Sequence, residues 1–476
     1  MQGRGMNYKS LLSNTLTAFA AQGVSMLVSV VMSLAIPKVL GIASYGYWQL
    51  FVFYVGYSGF FHFGLNDGIY LIEGGKLRNE IDKKAVNSQV IFGLVFQLIV
   101  GLAITLLAVV GAPGEDRTFV LVSFAVYTVI NNVAALLGYI FQAMNETKLF
   151  SFSTMLDRLA FLAPLLFLIF ARVEDFRLYV IAYIFGKVVS LCFCLWHSRD
   201  ILSSGRLSLP DTLALSAHSV KVGFSLMIAG VADMLILGMA RGLVDYAWGI
   251  EAFAVVSFSL TLVNFFIVFV SQAAMVLFPA LRQGTEGERR RFYVRLKSLC
   301  EVFFPAVYLF YFPMVWLLSI WLPQYGESMR YFAMLLPICV FNTSMSLCFT
   351  TYFKVFREER LLLAVNLITV AASTVLSLLG IYAVGSLDFV LLGVVACIIG
   401  RFMWCERYYD RKMGEHTMLI SIQEILLTVS FIVVALCLPA VPAFFLYFAL
   451  YISFIFKNRK IAGSLIGSVQ SLVGIR

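Results

Sequence analysis

Apolar and polar positions alternate along this chain on the scale of tens of residues, with long apolar runs separated by short polar breaks. Each run is long enough to cross about 30 Å of hydrocarbon, and an open sheet could not satisfy its backbone hydrogen bonds in lipid. The runs are therefore predicted to be helices. The pattern predicts about fourteen membrane spans, near residues 11–36, 45–69, 85–111, 118–143, 152–171, 178–196, 216–240, 249–278, 300–320, 328–352, 361–384, 386–404, 419–438 and 441–456.

Composition agrees with a membrane protein. Of the 476 residues, 61% are apolar and 13% are charged, and the mean hydropathy is +0.91. A soluble chain of this length would form about three domains and would need far more polar surface. The eight cysteines lie in or beside apolar spans without the spacing or the nearby histidines of a zinc site, so no metal site is predicted. The expected fold class is an all-α integral membrane protein.

Lysine and arginine are concentrated on alternate loops. About 26 of the 35 basic residues lie on one side, including the stretches 76–84, 282–297, 354–360 and 401–412, and the positive-inside rule makes that side cytoplasmic. Both termini are then expected in the cytoplasm. Because the charge of +9 is spread over many short loops, it indicates topology and not a nucleic-acid partner.

An internal repeat suggests two halves. Shifting the chain by 201 residues places Leu34–Trp48 on Leu235–Gly249, and each segment is predicted to contain a helix end, a glycine turn (at Gly41 or Gly242) and an aromatic anchor. The shift carries the first span onto the seventh with its orientation preserved. We therefore expect two pseudo-symmetric six-helix lobes around a central cavity, residues 1–205 and 206–405, followed by two extra helices and a cytoplasmic tail in 406–476.

Three basic residues remain inside the spans: Arg158, Lys187 and Lys221. Lys187 lies about 15 Å from either end of its span, too far to reach interfacial water. An unpaired ammonium there costs at least about 2.5–3.5 kcal/mol, so it must face a wet cavity, a carboxylate or a bound anion. Arg158, beside Asp157, is shallower, and Lys221 also fits an interfacial anchor. Cations outnumber acids inside the first half, which favours an anionic substrate head group.

Two further features are candidates for transport. Asp233 and Asp67 are carboxylates inside spans that could pair with a lysine or bind a coupling cation. Several spans also carry stripes of small and polar residues, which serve either close helix packing with hydrogen bonds between helices or a wet cavity that contacts sugar hydroxyls. The candidates for sugar contact are Asn14, Gln22, Ser25, Asn131, Asn264 and Gln272.

Catalytic signatures do not occur in the sequence. There is no Walker A motif, no G-x-S-x-G elbow and no H-E-x-x-H helix, and the four histidines have no metal spacing. The polar breaks, of about 20 residues at most, are short for a catalytic domain. The chain is therefore expected to be a transporter rather than an enzyme, with no cofactor beyond H⁺ or Na⁺ drawn from an ion gradient.

Four segments resemble a known family: IPKVLGIASYGYWQL, FGLNDGIYLIEGGKLRNEIDKKAVNSQ, VADMLILGMARGLVDYAWGIEAFA and MVLFPALRQG. They resemble the polysaccharide, or O-antigen (Wzx-type), flippases of the multidrug/oligosaccharidyl-lipid/polysaccharide (MOP) exporter superfamily. The resemblance implies alternating access that moves an undecaprenyl-diphosphate-linked oligosaccharide to the outer leaflet of a bacterial inner membrane. It also implies that Asp233 corresponds to the family's span-seven aspartate, and that basic residues line the cavity.

The partners expected from this resemblance are the lipid-linked oligosaccharide, membrane lipids and other polysaccharide assembly proteins, and the chain is expected to act as a monomer. Two alternatives stay open. One is a cation-coupled multidrug exporter of the same fold, in which Asp233 or Asp67 exchanges a cation for an organic cation. The other is a membrane polysaccharide polymerase or glycosyltransferase. The sugar and the coupling ion are not predicted.

Overall fold

The computed structural model describes residues 8–283, 286–414 and 418–459. It describes side chains from residue 22 onward, apart from residues 226, 229, 266, 268–286, 288 and 415–419. The chain divides into two compact units, Met1–Val231 and Ala232–Arg476. We call them the N unit and the C unit and describe each by itself. The predicted lobe boundaries at 205/206 and 405/406 stay predictions.

The N unit is built from antiparallel helices joined by short connections. Its helices are α1 (Tyr8–Val39), α2 (Ile42–Gly56), α3 (Leu65–Glu73), α4 (Lys83–Gly111), α5 (Glu115–Ala143), α6 (Thr147–Phe170), α7 (Phe176–His197), α8 (Arg199–Leu202) and the first part of α9 (Leu209–Gln283). Helix α5 is the most enclosed candidate membrane span of the N unit, because 61% of the residues in its apolar stretch are buried. Its Leu136, Leu137 and Ile140 pack with Leu65 and Ile69 of α3 in a continuous core.

The second predicted span, 45–69, is a broken helix. Helices α2 and α3 are separated by a 3₁₀ turn at Ser58–His62, and Phe63 and Gly64 have φ of 49° and 87°. Unwound backbone inside a membrane needs other hydrogen-bond partners. Asn132 donates to the Ser58 carbonyl at 3.0 Å, and Gln97 donates to the Phe61 carbonyl at 2.8 Å. Polar residues of α4 and α5 thus satisfy the break.

The C unit holds the rest of α9 and the helices that follow. These are α10 (Glu286–Phe303), α11 (Tyr311–Trp321), α12 (Gly326–Leu335), α13 (Pro337–Ser344), α14 (Thr351–Val355), α15 (Glu359–Leu379), α16 (Leu387–Met413), α17 (Met418–Cys437) and α18 (Ala440–Lys457). A short 3₁₀ segment joins α10 to α11, a π segment joins α13 to α14, and a second π segment extends α15. Among the described residues, the stretch 323–355 is the most enclosed candidate membrane span, because 89% of the residues in its apolar stretch are buried.

The turn predicted at Gly242 is wrong. Helix α9 continues through Gly242 and breaks at Gly249, where φ is 80° and ψ is −172°. Only glycine adopts that conformation without strain, and the break lies at the first residue of the eighth predicted span, 249–278. Gly41, its partner in the repeat, does separate two helices, but in an extended conformation with φ of −65°.

The predicted all-helical membrane fold is confirmed. Twelve helices of the described residues are long and apolar enough to cross a membrane. Two further predicted spans are also helical, although they are not separate members of this set of twelve. They are the broken α2–α3 segment and the second half of α9.

Candidate functional site

The N unit contains a cluster of charged residues where α6 and α7 pack together. The Lys187 ammonium lies 2.7 Å from an Asp157 carboxylate oxygen, and the two side chains are 16% and 11% exposed. Of the three partners predicted for Lys187, the structure supplies a carboxylate. The contact needs closely packed helices, which Gly186 permits: a Cβ there would lie 2.6 Å from the Asp157 carbonyl oxygen.

Arg158 of α6 also reaches α7, where it meets Tyr183. Its guanidinium donates one hydrogen bond of 3.3 Å to the Tyr183 hydroxyl and lies 5.8 Å from the centre of that ring. Its Nε is buried without a hydrogen-bond partner. A guanidinium has five N–H donors, so most of this group's hydrogen-bonding capacity is unused by these contacts.

Tyr183, the partner of Arg158, and Lys187 are four residues apart on α7, so they lie on one face of that helix, one turn apart. We call Asp157, Arg158, Tyr183 and Lys187 the N-unit charge cluster. Asp157 neutralises Lys187 at 2.7 Å, while Arg158 meets a neutral phenol. With ionised side chains the cluster therefore carries a net charge of about +1, which comes from Arg158.

The other predicted residues of the N unit lie in different surroundings. Lys221 and Gln22 are exposed, and Ser25 is half-buried. Asn131 donates to the Ser58 hydroxyl at 3.1 Å, so it supports the helix break. Asp67 lies 3.7 Å from the His62 ring. The side chain of Asn14 lies outside the described residues. The structure therefore brings Arg158 and Lys187 together, and the sugar-contact and ion-coupling roles stay predictions.

In the C unit, Asp233 forms an ion pair. Arg401 of α16 donates to its carboxylate at 2.6 Å, and also to Asn366 at 3.1 Å and Asn342 at 2.9 Å. The Arg401 side chain is 3% exposed, whereas that of Asp233 is 62% exposed. The pair therefore joins an enclosed guanidinium to an exposed carboxylate. Of the other C-unit candidates, Asn264 is exposed, and the side chain of Gln272 lies outside the described residues.

A second C-unit group is almost completely buried, and we call it the acidic cluster. Lys297 on α10 lies 2.5 Å from Glu406 and 2.9 Å from Asp410 of α16, and 3.7 Å from Glu301. Ser421 of α17 contacts Glu301 at 2.6 Å and also contacts Glu406. Glu424, one turn further along α17, has no exposed surface. These charges lie inside candidate spans of the described residues.

Sequence reasoning missed both C-unit groups because it placed Lys297 and Arg401 on cytoplasmic loops. The assignment to loops is wrong, because both residues lie inside helices, at 1% and 5% exposure. An apolar run predicts only part of its helix here, because the helix continues beyond the end of the run. The missed signal was spacing, since Lys297 and Glu301 are four residues apart, a separation that places side chains on one helix face.

The charged loops of the N unit, which the distribution of basic residues predicts to be cytoplasmic, form a separate network. Arg78 donates to both carboxylate oxygens of Glu146 at 2.8 and 2.6 Å and to Asp200 at 2.6 Å, and Lys83 also reaches Asp200 at 2.7 Å. Its hydrogen bond to Glu146 raises the pKa of Arg78. Burial opposes ionisation of Asp200, but Lys83 and Arg78 outweigh it and lower the pKa of that carboxyl. Because its charges are paired, this network fits a structural role.

Among the described residues, no group of three or more histidine, cysteine, aspartate or glutamate side chains could hold a metal ion. The structure therefore offers charged clusters of two kinds. One is in the N unit with an excess positive charge, and the other is in the C unit with an excess of carboxyl groups. Neither resembles the constellation of nucleophile, base and oxyanion donors that a catalytic site requires.

Comparisons with solved structures show the fold. The lipid II flippase MurJ, in an inward closed conformation, matches with a TM-score of 0.62 and 10% identity over 95% of this chain and 100% of its own. The Vibrio cholerae MATE transporter VcmN, in a mutant form, matches with a TM-score of 0.56 and 15% identity over 87% of this chain and 98% of its own. An outward-facing multidrug resistance MATE family transporter of the MOP superfamily matches with a TM-score of 0.55 and 14% identity, over 86% and 97%.

These likenesses confirm the predicted fold class. No curated protein sequence matches the chain. A model of one protein family, described as polysaccharide biosynthesis protein, matches residues 11–285. This match covers more than half of the 476 residues and confirms the resemblance inferred from the segments after the first span and around the second and seventh. The chain is therefore a multi-pass membrane protein that belongs to the polysaccharide biosynthesis protein family.

Proposed function

We propose that the protein is a flippase that carries a polyprenyl-diphosphate-linked oligosaccharide from the inner to the outer leaflet of a bacterial inner membrane. The family membership and the fold support transport in polysaccharide biosynthesis. MurJ, which has the highest TM-score of the three solved structures compared above, is itself a flippase, named for lipid II. The termini would lie in the cytoplasm, as the distribution of basic residues favours.

The observation that carries the proposal is the net positive charge of the N-unit charge cluster. Arg158 has one hydrogen bond, to a phenol, and a buried Nε without a partner. Diphosphate oxygens are the acceptors that a guanidinium binds best, because its planar fork matches phosphate geometry. Arg158 would therefore attract the diphosphate, while Lys187 adds positive charge one turn along α7. Lys221, which is exposed, would act earlier as the head group approaches.

The cluster accounts for a mechanism without catalysis. A diphosphate that binds Arg158 needs no bond broken, only a cation that compensates for the loss of water around its charges. The sugar would be held by hydrogen bonds from polar side chains, for which Gln22 and Ser25 are candidates in the N unit, and these contacts stay predictions. Release would follow when the protein opens to the other side and water competes for the phosphate oxygens.

A cation-coupled drug exporter would need an unpaired acidic residue to take up an organic cation. Asp67, which lies 3.7 Å from the His62 ring, and Asp233 are the predicted candidates. The structure gives Asp233 an ion-pair partner, Arg401, at 2.6 Å. That contact supports the flippase over the exporter, since an organic cation would have to displace an arginine. Cells that lack the protein are expected to lose surface polysaccharide and to keep their drug resistance.

The test is substitution of Arg158 in cells that depend on this protein for surface polysaccharide. Arg158→Ala is expected to abolish surface polysaccharide, and Arg158→Lys to retain part of it, because a lysine keeps the charge but loses the fork. Lys148→Ala is a matched control: it removes an exposed cation near the start of the same helix and should leave export unchanged. Normal export by Arg158→Ala, at normal protein levels, would contradict the proposal.

A further inference from the structure

The acidic cluster of the C unit contains more acidic groups than its one cation can neutralise. Lys297 contacts Glu301, Glu406 and Asp410, and Glu424 interacts with Glu301 and Glu406. Each of the four acidic residues is at most 6% exposed. Fully ionised, the group would carry a charge of −3 (one ammonium against four carboxylates) in a region screened from water. Buried charges without partners are strongly disfavoured, so the excess must be neutralised by protons or by another cation.

The hydrogen-bond geometry of Ser421 requires one proton. Its hydroxyl oxygen lies 2.6 Å from an oxygen of Glu301 and also contacts an oxygen of Glu406. A hydroxyl has a single hydrogen and can donate only one of these bonds, so one carboxyl group must donate the other. The Glu406 oxygen in question also lies 2.5 Å from the Lys297 ammonium, which makes it an acceptor. Glu301 is therefore the group that carries the proton.

Glu424 indicates a second proton. It has no exposed surface, and neither of its carboxyl oxygens has a hydrogen-bond partner. It interacts electrostatically with Glu301 and Glu406, so it belongs to the same group. A buried carboxylate without a donor pays the full desolvation penalty, and the neutral acid does not. Glu424 therefore points an unpartnered acid group into the cluster.

A metal ion or Na⁺ would need the space that Lys297 already occupies. The ammonium makes contacts of 2.5 and 2.9 Å with carboxylate oxygens of Glu406 and Asp410. It thus stands where a cation shared by these groups would bind. A proton needs no such space, since it resides on a carboxyl oxygen.

Other titratable groups packed against the cluster are uncharged in their ordinary form at neutral pH. They are Tyr293 and Cys300 of α10, Tyr308 of the following 3₁₀ turn, Cys348 between α13 and α14, and Tyr447 of α18. Tyr293 donates to Asp410 at 2.8 Å, so this carboxylate already has a hydrogen-bond donor besides Lys297. Protons in the cluster therefore have Glu301 and Glu424 as their natural positions.

We propose that the acidic cluster is an occluded proton-binding site, with Glu301 and Glu424 as the groups that hold protons and Ser421 as the relay between Glu301 and Glu406. Each step moves H⁺ between carboxyl oxygens or to water and forms or breaks only O–H bonds. The site would release a proton when α10, α16 and α17 separate enough to admit water. Its use to drive export by a proton gradient rests on the proposed flippase function.

Infrared spectroscopy of the full chain in lipid bilayers tests the site directly. The wild type at neutral pH is expected to show the carbonyl band of protonated carboxyl groups. Glu424→Gln and Glu301→Gln should each remove one carboxyl group's share of that band. Glu327→Gln, which alters an exposed carboxyl group of the same unit, is the matched control and should leave the band intact. A wild-type band that neither substitution reduces would overturn the proton site.

A second measurement separates the site from its coupling. Surface polysaccharide is measured in cells that carry Glu301→Gln or Glu424→Gln at normal protein levels. Its loss in both variants, together with the infrared change, supports coupling to export. Normal export in both variants would overturn the coupling of the proton site to export. The infrared spectra then decide by themselves whether the proton site exists. Ser421→Ala keeps all four carboxyl groups and should slow proton exchange after a pH jump. The spectra do not depend on transport, so failure of the flippase proposal would be visible separately in the Arg158 variants.

Discussion

The ion pair between Lys187 and Asp157 gives the sharpest test of how the N-unit charge cluster works. The two side chains are 16% and 11% exposed and 2.7 Å apart. Removing one partner of such a buried pair typically costs about 3–5 kcal/mol, because the other charge is left without compensation. Replacing both by apolar residues is often neutral. Lys187→Ala and Asp157→Ala are therefore each expected to destabilise strongly, and Lys187→Met/Asp157→Leu only slightly.

Net charge should decide export in the same series. The wild-type cluster carries about +1, Lys187→Ala leaves about 0, and the double variant restores about +1 through Arg158. We therefore expect Lys187→Ala to abolish surface polysaccharide and the double variant to recover it. Unfolding of the purified variants in lipid nanodiscs and surface polysaccharide in cells are the two measurements.

Two outcomes would refute this reasoning. Additive losses of stability in the double variant would show that the two side chains do not compensate each other in the folded protein. A stable double variant that fails to export would show that Lys187 contacts the substrate itself, and not only through its charge. Arg158→Ala made in the double-variant background serves as the control, because it removes the remaining cation and should abolish export again.

Two further predictions concern packing and pH. Gly186→Val would place a Cβ 2.6 Å from the Asp157 carbonyl oxygen, and such overpacking typically costs about 1–3 kcal/mol. The thermal unfolding temperature of this variant should therefore fall. Gly230→Ala is the control: a Cβ there meets nothing within 4 Å, so it should not lower the unfolding temperature through overpacking. Asp200 has a lowered pKa in the folded protein, so its stabilisation is complete above the unfolded pKa of about 3.9 and is lost as pH falls through the folded pKa. Asp200→Asn should therefore lower the unfolding temperature at neutral pH and flatten its decline in acid; parallel pH curves for the two proteins would contradict this.

Hydropathy predicted the helices well because the membrane imposes a single length scale on apolar runs. It failed where a helix continues beyond its apolar run. Lys297 and Arg401 were placed on loops because they are charged and lie outside an apolar window, yet their helices continue and bury them. The helix break predicted at Gly242 lies seven residues later, at Gly249. Whether a glycine breaks a helix depends on its surroundings in the fold.

The partners of buried charges could not be predicted, because they come from other helices. The depth of Lys187 in its span follows from counting residues, and it correctly requires some form of compensation. That the compensation is Asp157 depends on how α6 packs against α7, which no local pattern encodes. The same holds for Asp233, whose partner Arg401 is 168 residues away in the chain. Sequence thus located the cations of the N unit and could not determine which of them is neutralised.

The two charged clusters have an excess of opposite charge, so they favour different ligands. In the N-unit charge cluster there is one more cation than acids, and a guanidinium with unused donors can bind the oxygens of an anion through charge-assisted hydrogen bonds. In the acidic cluster the carboxyl groups exceed the cation, and the ammonium already fills the position of a shared cation at 2.5 and 2.9 Å. Protons are then the ligands that can balance the charge without displacing a side chain. A transporter that binds an anionic lipid at one cluster and protons at the other needs no nucleotide, because the two kinds of site provide for both a cargo and a driving ion.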